Sequence, residues 1–235
     1  MIVILAGGEG KRMRSTCPKV LHLYKDKPML VRIIEVSREL DDKIVIVTGK
    51  FHTLIIQTLS KYIDIFGLIF INQPEPLGTG DAIKCCLTEF DDSKVLIVNG
   101  DMPLITKDIL ENFIKKSRGT CNLLVAKFSN PHGYGRIIYD KDGDFTAIVE
   151  ERDCNEIQKR ISIINTGIYY ITGSLLKTYV PFISSNNNQK EYYLTDIIKI
   201  IKRNTWDVID TILLDEHENI CVSGVNTPEE LELLS

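Results

Sequence analysis

Val3-Ile4-Leu5-Ala6-Gly7-Gly8-Glu9-Gly10-Lys11-Arg12-Met13, with Pro18-Lys19 a few residues on, is the stretch on which the fold turns. An apolar run suited to a buried parallel strand breaks into a loop with three glycines and then into fixed positive charge. Glycine tolerates positive φ and lets backbone N–H groups approach an oxygen-rich ligand, while Arg12 and Lys19 can add charge-assisted hydrogen bonds. The pattern points to a bound polyanion, with phosphate the obvious candidate. Two standard templates fail. A Walker-type loop needs a glycine five places before Gly10-Lys11 and a hydroxyl residue after it, where this chain has Leu5 and Arg12. A dinucleotide fingerprint starting at Gly8 needs its last glycine where Met13 stands. Taken alone, the stretch also fits a plain strand-to-helix turn with solvated charges.

Beyond the loop, Val20 to Tyr24 is expected to be extended and Lys25 to Pro28 a turn. Met29, Leu30, Ile33, Ile34 and Leu40 then fall at helical spacing. Lys43 to Thr48 reads as a strand, Thr53 to Tyr62 as a helix and Leu68 to Ile71 as the next strand, the order of parallel βαβ units with helices on both faces. A second loop rich in glycine and proline, Asn72 to Asp81, leads into a helix whose apolar face uses Ala82, Ile83, Leu87 and Phe90. Thr79 is placed to cap that helix, and the glycines leave room for a flat ring. Val95 to Val98 is continuously apolar, as in a central parallel strand. It runs into Asn99-Gly100-Asp101, which puts a carboxylate on the edge where doubly wound sheets bind ligands.

From Asn122 the β-type segments crowd together: Leu123 to Phe128, Gly135 to Tyr139 and Phe145 to Glu150, the last two joined by a turn at Lys141-Asp142-Gly143. Asn165-Thr166-Gly167 interrupts the apolar strand Ile163 to Ile171, which suggests close backbone approach to a ligand. Ser184 to Lys190 reads as an exposed loop, Leu194, Ile197, Ile198 and Ile201 as a helix, Val208 to Leu214 and Cys221 to Val225 as strands, and Pro228 to Leu234 as a closing helix. The second half is expected to close over the first.

With 235 residues, 44% of them hydrophobic and 26% charged, the chain can bury a sizeable core. A formal net charge of -4 argues against a nucleic-acid partner that depends on a broad basic field and favours a small ligand. No apolar run approaches the roughly 20 residues that span a bilayer, and Met1 to Ala6 is too short for a signal core. A soluble, cytoplasmic protein is the expectation. The six cysteines form no C-x-x-C pair, so reduced thiols are expected rather than a disulfide framework or a zinc site.

Read together, the spaced motifs narrow the choice. Leu-Ala-Gly-Gly-x-Gly-x-Arg-Met (5–13), Pro18-Lys19-Val20-Leu21, Gln73 with Leu77-Gly78-Thr79-Gly80, Gly100-Asp101-x-Pro103-Leu104 and Asn130-Pro131-x-Gly133-Tyr134-Gly135-Arg136-Ile137 occur in that order. They continue with Val149-Glu150, Ile164-Asn165-Thr166-Gly167, Glu191 to Asp196 and Gly224-Val225-Asn226. The ordered set resembles the uridylyltransferase domain of bacterial N-acetylglucosamine-1-phosphate uridylyltransferases, within the sugar-nucleotidyltransferase superfamily, over essentially the whole chain.

The resemblance implies an α/β, Rossmann-like nucleotidyltransferase fold: a mixed, mostly parallel sheet with helices on both faces and a smaller sugar-binding β subdomain. It implies a single domain over 1–235, with a nucleotide-binding half over about 1–120 and a sugar-binding half over about 121–235. The implied reaction joins UTP and N-acetylglucosamine 1-phosphate into UDP-N-acetylglucosamine and pyrophosphate, with Mg²⁺ as cofactor. Carried over from the motifs, Arg12 and Lys19 are catalytic, neutralising phosphate charge. Leu5, Ala6, Gly7, Gly8, Gln73, Gly78, Thr79, Asn99 and Gly100 bind the nucleotide; Gly135, Glu150 and Asn165 bind the sugar; Asp101 and Asn226 hold the metal. Plainer readings exist: surface charge for Arg12 and Lys19, a helix cap for Asp101, a loop side chain for Gln73, solvation for Glu150 beside Glu151. No nucleic-acid or membrane partner is implied, and a monomer or homodimer is expected.

Two departures matter. Lys11 takes a position that is often threonine, adding charge beside the phosphates. The hexapeptide repeats of the bifunctional bacterial enzymes do not occur, so uridylyl transfer without acetyl transfer is the expectation. The alternatives are a nucleotidyltransferase for another sugar 1-phosphate and a non-catalytic nucleotide-sugar-binding module.

Overall fold

The computed structural model describes residues 1–206 and 209–234. In chain order the strands are β1 (Ile2–Leu5), β2 (Leu23–Tyr24), β3 (Lys27–Pro28), β4 (Ile44–Thr48), β5 (Leu68–Asn72), β6 (Lys94–Asn99), β7 (Cys121–Lys127), β8 (Arg136–Tyr139), β9 (Phe145–Val149), β10 (Ile163–Thr172) and β11 (Ile209–Leu213). The α-helices are α1 (Met29–Arg38), α2 (His52–Leu59), α3 (Thr79–Lys84), α4 (Lys107–Lys116), α5 (Gly173–Tyr179), α6 (Asp196–Asn204) and α7 (Pro228–Leu233). Among the described residues no helix is long and apolar enough to cross a membrane.

Among the described residues nine strands form one sheet, whose main path runs β11-β7-β10-β6-β1-β4-β5. Every strand on that path points the same way except β10, which is antiparallel to both β6 and β7. The β8–β9 hairpin leaves the path through one pairing, Arg136 with Ile164. The expected mixed, mostly parallel sheet is present, and strands β7, β10 and β11 of the second half extend it directly.

Successive side chains of a strand face opposite ways, so an all-apolar strand feeds two cores. Ile2 and Ile4 pack into one core with Leu30 and Ile34 of α1, Leu59 of α2 and Phe113 of α4, while Val3 joins Ile83 of α3, Leu176 of α5 and Ile197 of α6 on the other face. In α6, Ile197, Ile198 and Ile201 are buried at the apolar spacing read from the sequence. Each contributes about 1.5–3 kcal/mol relative to exposure.

Several local expectations fail for identifiable reasons. Val20–Tyr24 does not run as an extended segment: Lys19–Leu21 is a 3₁₀ turn closed by Leu21 N–H donating to Pro18 O at 2.9 Å, and only Leu23–Tyr24 pairs as β2. The turn buries Val20 and Leu21 while Lys19 reaches the other way. Cys221–Val225 is not a strand either. It spans the end of a 3₁₀ segment, Glu216–Val222, and an irregular stretch whose Val225 N–H donates to Asp101 O at 2.9 Å. Its apolar residues reflect burial without a strand partner. The helix after the second glycine loop stops at Lys84, with a 3₁₀ turn at Leu87–Glu89. Of the strand read as Val208 to Leu214, the structure has Ile209–Leu213, and Val208 lies outside the described residues.

Candidate active site

The carboxyl ends of β1, β4, β5 and β6 lie level: Leu5 sits opposite both Val47 and Asn99, and Thr48 opposite Asn72. The chain leaves β1 for β4 and β5 on one side and returns as β6 on the other, so the loops diverge between β1 and β6, where open α/β sheets take ligands. A cleft of about 510 Å³ opens there. Of the expected residues it is lined by Leu5, Gly7, Gly8, Arg12, Lys19, Gln73, Gly78, Thr79, Asn99, Asp101 and Asn226. Ala6 and Gly100 lie beneath it instead. Ala6 is buried in the core, and a Cβ on Gly100 would meet Leu5 O at 3.1 Å and the Leu30 and Val20 side chains just beyond.

Four groups from distant parts of the chain converge at one end. The Lys19 ammonium pairs with Asp101 Oδ2 and donates to Asn226 Oδ1 at 3.0 Å, while Arg12 donates to the same oxygen at 2.9 Å. Lys19 and Asp101 are only 15% and 14% exposed. Local sequence explains the aim of Asn226. Its Nδ2 donates to Gly224 O at 3.2 Å and its backbone N–H to Glu230 Oε2 at 2.6 Å, leaving Oδ1 toward the cleft. Glu230 is held in turn by the start of α7: Thr227 caps the helix by accepting from Glu230 N–H, with Pro228 at the first helical position. Gly224 is demanded by approach: a Cβ there would stand 3.3 Å from both carboxylate oxygens of Asp101.

Gly10 is held at φ 62°, and a Cβ on it would fall 2.7 Å from Lys19 Cβ. The Gly10→Ala variant is expected to lose about 1–2 kcal/mol from the left-handed backbone alone, and to push Lys19 off its partners. Urea unfolding measures the first effect, and wild-type stability would contradict it.

At the second glycine loop, Gln73 is 5% exposed, with Nε2 donating to Gly78 O at 3.0 Å and Asp81 Oδ2 at 2.8 Å. Thr79 does not cap α3: the preceding Gly78 occupies the cap position, and Thr79 Oγ1 accepts from Leu194 N–H at 3.0 Å. What lies against this loop is protein backbone. Gly80 N–H donates to Tyr192 O, Tyr192 N–H donates to Leu77 O, and a Cβ on Gly78 would meet Tyr192 O at 2.6 Å. The glycines latch this loop to the segment that carries Thr195.

The expected sugar residues cluster with one another but do not line the open cleft. Asn165 N–H donates to Gly135 O at 2.8 Å, and a Cβ on Gly135 would stand 3.5 Å from Glu150 Oε2. A bulge between Asn165 and Ile168 in the pairing with β7 turns this part of β10. Asn165 is occupied internally, donating to the Tyr169 hydroxyl at 2.6 Å and accepting from Gly167 N–H. Within the fold, what approaches Gly167 is the Asn99 amide, which a Cβ there would overlap.

Glu150 and Glu151, adjacent in sequence, are driven apart in chemistry. Burial raises the Glu150 carboxyl above its ordinary range, against the opposing hydrogen bond from the Thr195 hydroxyl at 2.8 Å. For Glu151, desolvation is outweighed by the bond from Arg136 Nη2 at 2.6 Å, the Gly133 N–H and nearby positive charge, which hold it below its ordinary range. Arg136 itself is 1% exposed, so Glu151 is its structural counter-ion, while Glu150 is paired, among the described residues, only with the Thr195 hydroxyl. Because the folded-state pKa of Glu150 is raised, its contribution to stability is greatest below the ordinary value of 4.5 and is lost as pH rises through the shifted one. The Glu150→Gln variant should therefore gain on wild type in Tm as pH rises from about 4 to 8. A gap in Tm that does not change with pH would contradict this.

Sequence reasoning missed other residues on or behind the cleft. Arg152 lines it, and Asp81 and Thr195 orient Gln73 and Glu150. Glu191, noted without a role, and Lys11, paired with Glu9 at 2.8 Å, also line it. The direct succession Glu150-Glu151-Arg152 was the available signal for Arg152, and Thr195 falls inside the Glu191 to Asp196 motif, whose residues were given no individual role; nothing local marks the role of Asp81.

Comparison with known proteins identifies the family and the fold. Residues 2–162 match the family model for the MobA-like NTP transferase domain. A protein of Acanthamoeba polyphaga mimivirus described as a "probable UDP-N-acetylglucosamine pyrophosphorylase" is 40% identical over 99% of this chain and 94% of its own length. The bifunctional protein GlmU of Francisella tularensis subsp. novicida is also 40% identical over 99% of this chain, which spans 50% of that relative's length. Among solved structures, the inositol-1-phosphate CTP transferase of T. maritima superposes with a TM-score of 0.73 at 14% identity, covering 99% of this chain and 94% of that one, and so shares the fold. The chain therefore belongs to the MobA-like NTP transferase family, among the UDP-N-acetylglucosamine pyrophosphorylases.

Proposed function

We propose that this nucleotidyltransferase carries out uridylyl transfer from UTP to N-acetylglucosamine 1-phosphate, giving UDP-N-acetylglucosamine and pyrophosphate, and that these 235 residues serve that transfer alone. The observation that carries the reading is the meeting of Lys19, Arg12, Asp101 and Asn226 at one end of the cleft. The relatives' names support the choice of uridine and N-acetylglucosamine.

An oxygen of the sugar phosphate bonds to the α-phosphorus of UTP, and the bond to the bridging α–β oxygen breaks, its electron pair leaving on pyrophosphate. The nucleophile is already ionised, so no general base is needed. Both reactants are anions, and alignment with charge neutralisation is the central task. Backbone N–H groups of Gly7 to Gly10 hold phosphate oxygens, and Arg12 and Lys19 supply positive charge where it is needed as the pentavalent centre forms. Gln73 Oε1 meets the base edge, and Glu150 and Gly135 meet sugar hydroxyls.

The donor set fits Mg²⁺: two hard oxygens, Asp101 Oδ2 and Asn226 Oδ1, already face one cation, the Lys19 ammonium. Bound by these two residues and substrate oxygens, the ion would neutralise phosphate charge. The test is turnover across a panel of nucleoside triphosphates and sugar 1-phosphates with pyrophosphate detection. A faster pair than UTP with N-acetylglucosamine 1-phosphate removes the substrate assignment.

A further inference from the structure

The carboxamide of Gln73 is oriented by the chain before any ligand arrives. A carboxamide has two N–H donors at one end and acceptor lone pairs at the other. Here both donors are used, on Gly78 O and Asp81 Oδ2. Neither partner can reverse its role, because a backbone carbonyl and a carboxylate only accept. Turning the amide over would set Oε1 against two acceptors, and the charged Asp81 is the stronger restraint of the two. With Gln73 5% exposed, water offers little alternative. What remains is Oε1, which lies 3.2 Å from where a Cβ on Gly7 would stand, over the glycine loop. The cleft meets Gln73 as an acceptor.

That polarity selects among bases. Uracil and thymine offer a ring N–H at N3, whereas cytosine offers a lone pair there. We propose that Asp81 is a positioning residue for nucleobase selection: by holding the Gln73 amide oxygen-outward, it makes the site favour bases with a ring N–H over cytosine. Asp81 is half-buried in the first turn of α3 and does not line the cleft, so it acts through Gln73. The inference rests on the uridylyl-transfer reading for its choice of nucleotides.

The experiment measures kcat/KM for UTP, dTTP and CTP, and their dissociation constants by calorimetry, in wild type, Asp81→Ala and Asp81→Asn. Alanine at this helical, half-exposed position keeps the fold, which a thermal melt checks. The UTP-to-CTP ratio is expected to fall at least about tenfold in Asp81→Ala, chiefly through improved use of CTP. Asp81→Asn, whose side-chain oxygen still accepts from Nε2, should keep most of the ratio. An equal loss for UTP and CTP in Asp81→Ala, with the ratio unchanged, overturns the proposal and leaves the uridylyl reading intact. A wild type that prefers dTTP overturns that reading alone, since thymine carries the same N3–H. Preference of the wild type for CTP overturns both, and the calorimetric ratio decides the point even in the absence of turnover.

Discussion

Lys19→Ala is expected to lower kcat by about 10²–10³-fold, the range for removing one preorganised group that stabilises transition-state charge. Lys19 touches both Asp101 and Asn226 and lies within the cleft. On the proposed mechanism its charge serves the phosphates, and the loss should appear in kcat and kcat/KM together, the mark of an interaction realised in the transition state. The fold should survive. Leaving the Asp101 carboxylate without its cation costs about 1–3 kcal/mol, and both groups keep some access to water. Steady-state kinetics beside a thermal melt separate the two effects, and near-wild-type kcat would remove Lys19 from the mechanism.

Asp101→Ala should have an effect of the same order, about 10²-fold or more in kcat, for a different reason. Asp101 is the charged member of the proposed metal pair, at the end of β6, with its backbone carbonyl accepting from Val225 N–H and Gly224 packed against its carboxylate. Without the carboxylate, Asn226 alone faces the ion, and the Mg²⁺ concentration giving half-maximal activity should rise at least about tenfold. The discriminating measurement is a Mg²⁺ titration of residual activity. An unchanged half-maximal concentration would mean that Asp101 serves only to seat Lys19.

How much of this was legible beforehand follows from what a sequence encodes locally. The buried strands β1, β4 and β6 announce themselves, because all-apolar β-branched runs satisfy two cores at once. Glycines also signal correctly that something comes close, but not what: at Gly78 and Gly80 it is the Tyr192 backbone, and at Gly167 the Asn99 amide. Val20–Tyr24 and Cys221–Val225 look like strands because their apolar residues are buried, yet neither meets a partner edge in the main sheet. The difference between Glu150 and Glu151 is not in the dipeptide. It is set by Arg136 and Thr195, which only the folded chain brings alongside. For the same reason the motifs yielded many residues that line the cleft along with Gly135, Glu150 and Asn165, which do not, whereas Asp81 and Arg152 required the structure.

The most direct measurement mixes the wild-type chain with UTP, N-acetylglucosamine 1-phosphate and Mg²⁺ and follows both products. Pyrophosphate and UDP-N-acetylglucosamine should appear in equal amounts, only when both substrates are present, and should stop when the metal is chelated. Binding of UDP-N-acetylglucosamine without any such turnover would contradict the account.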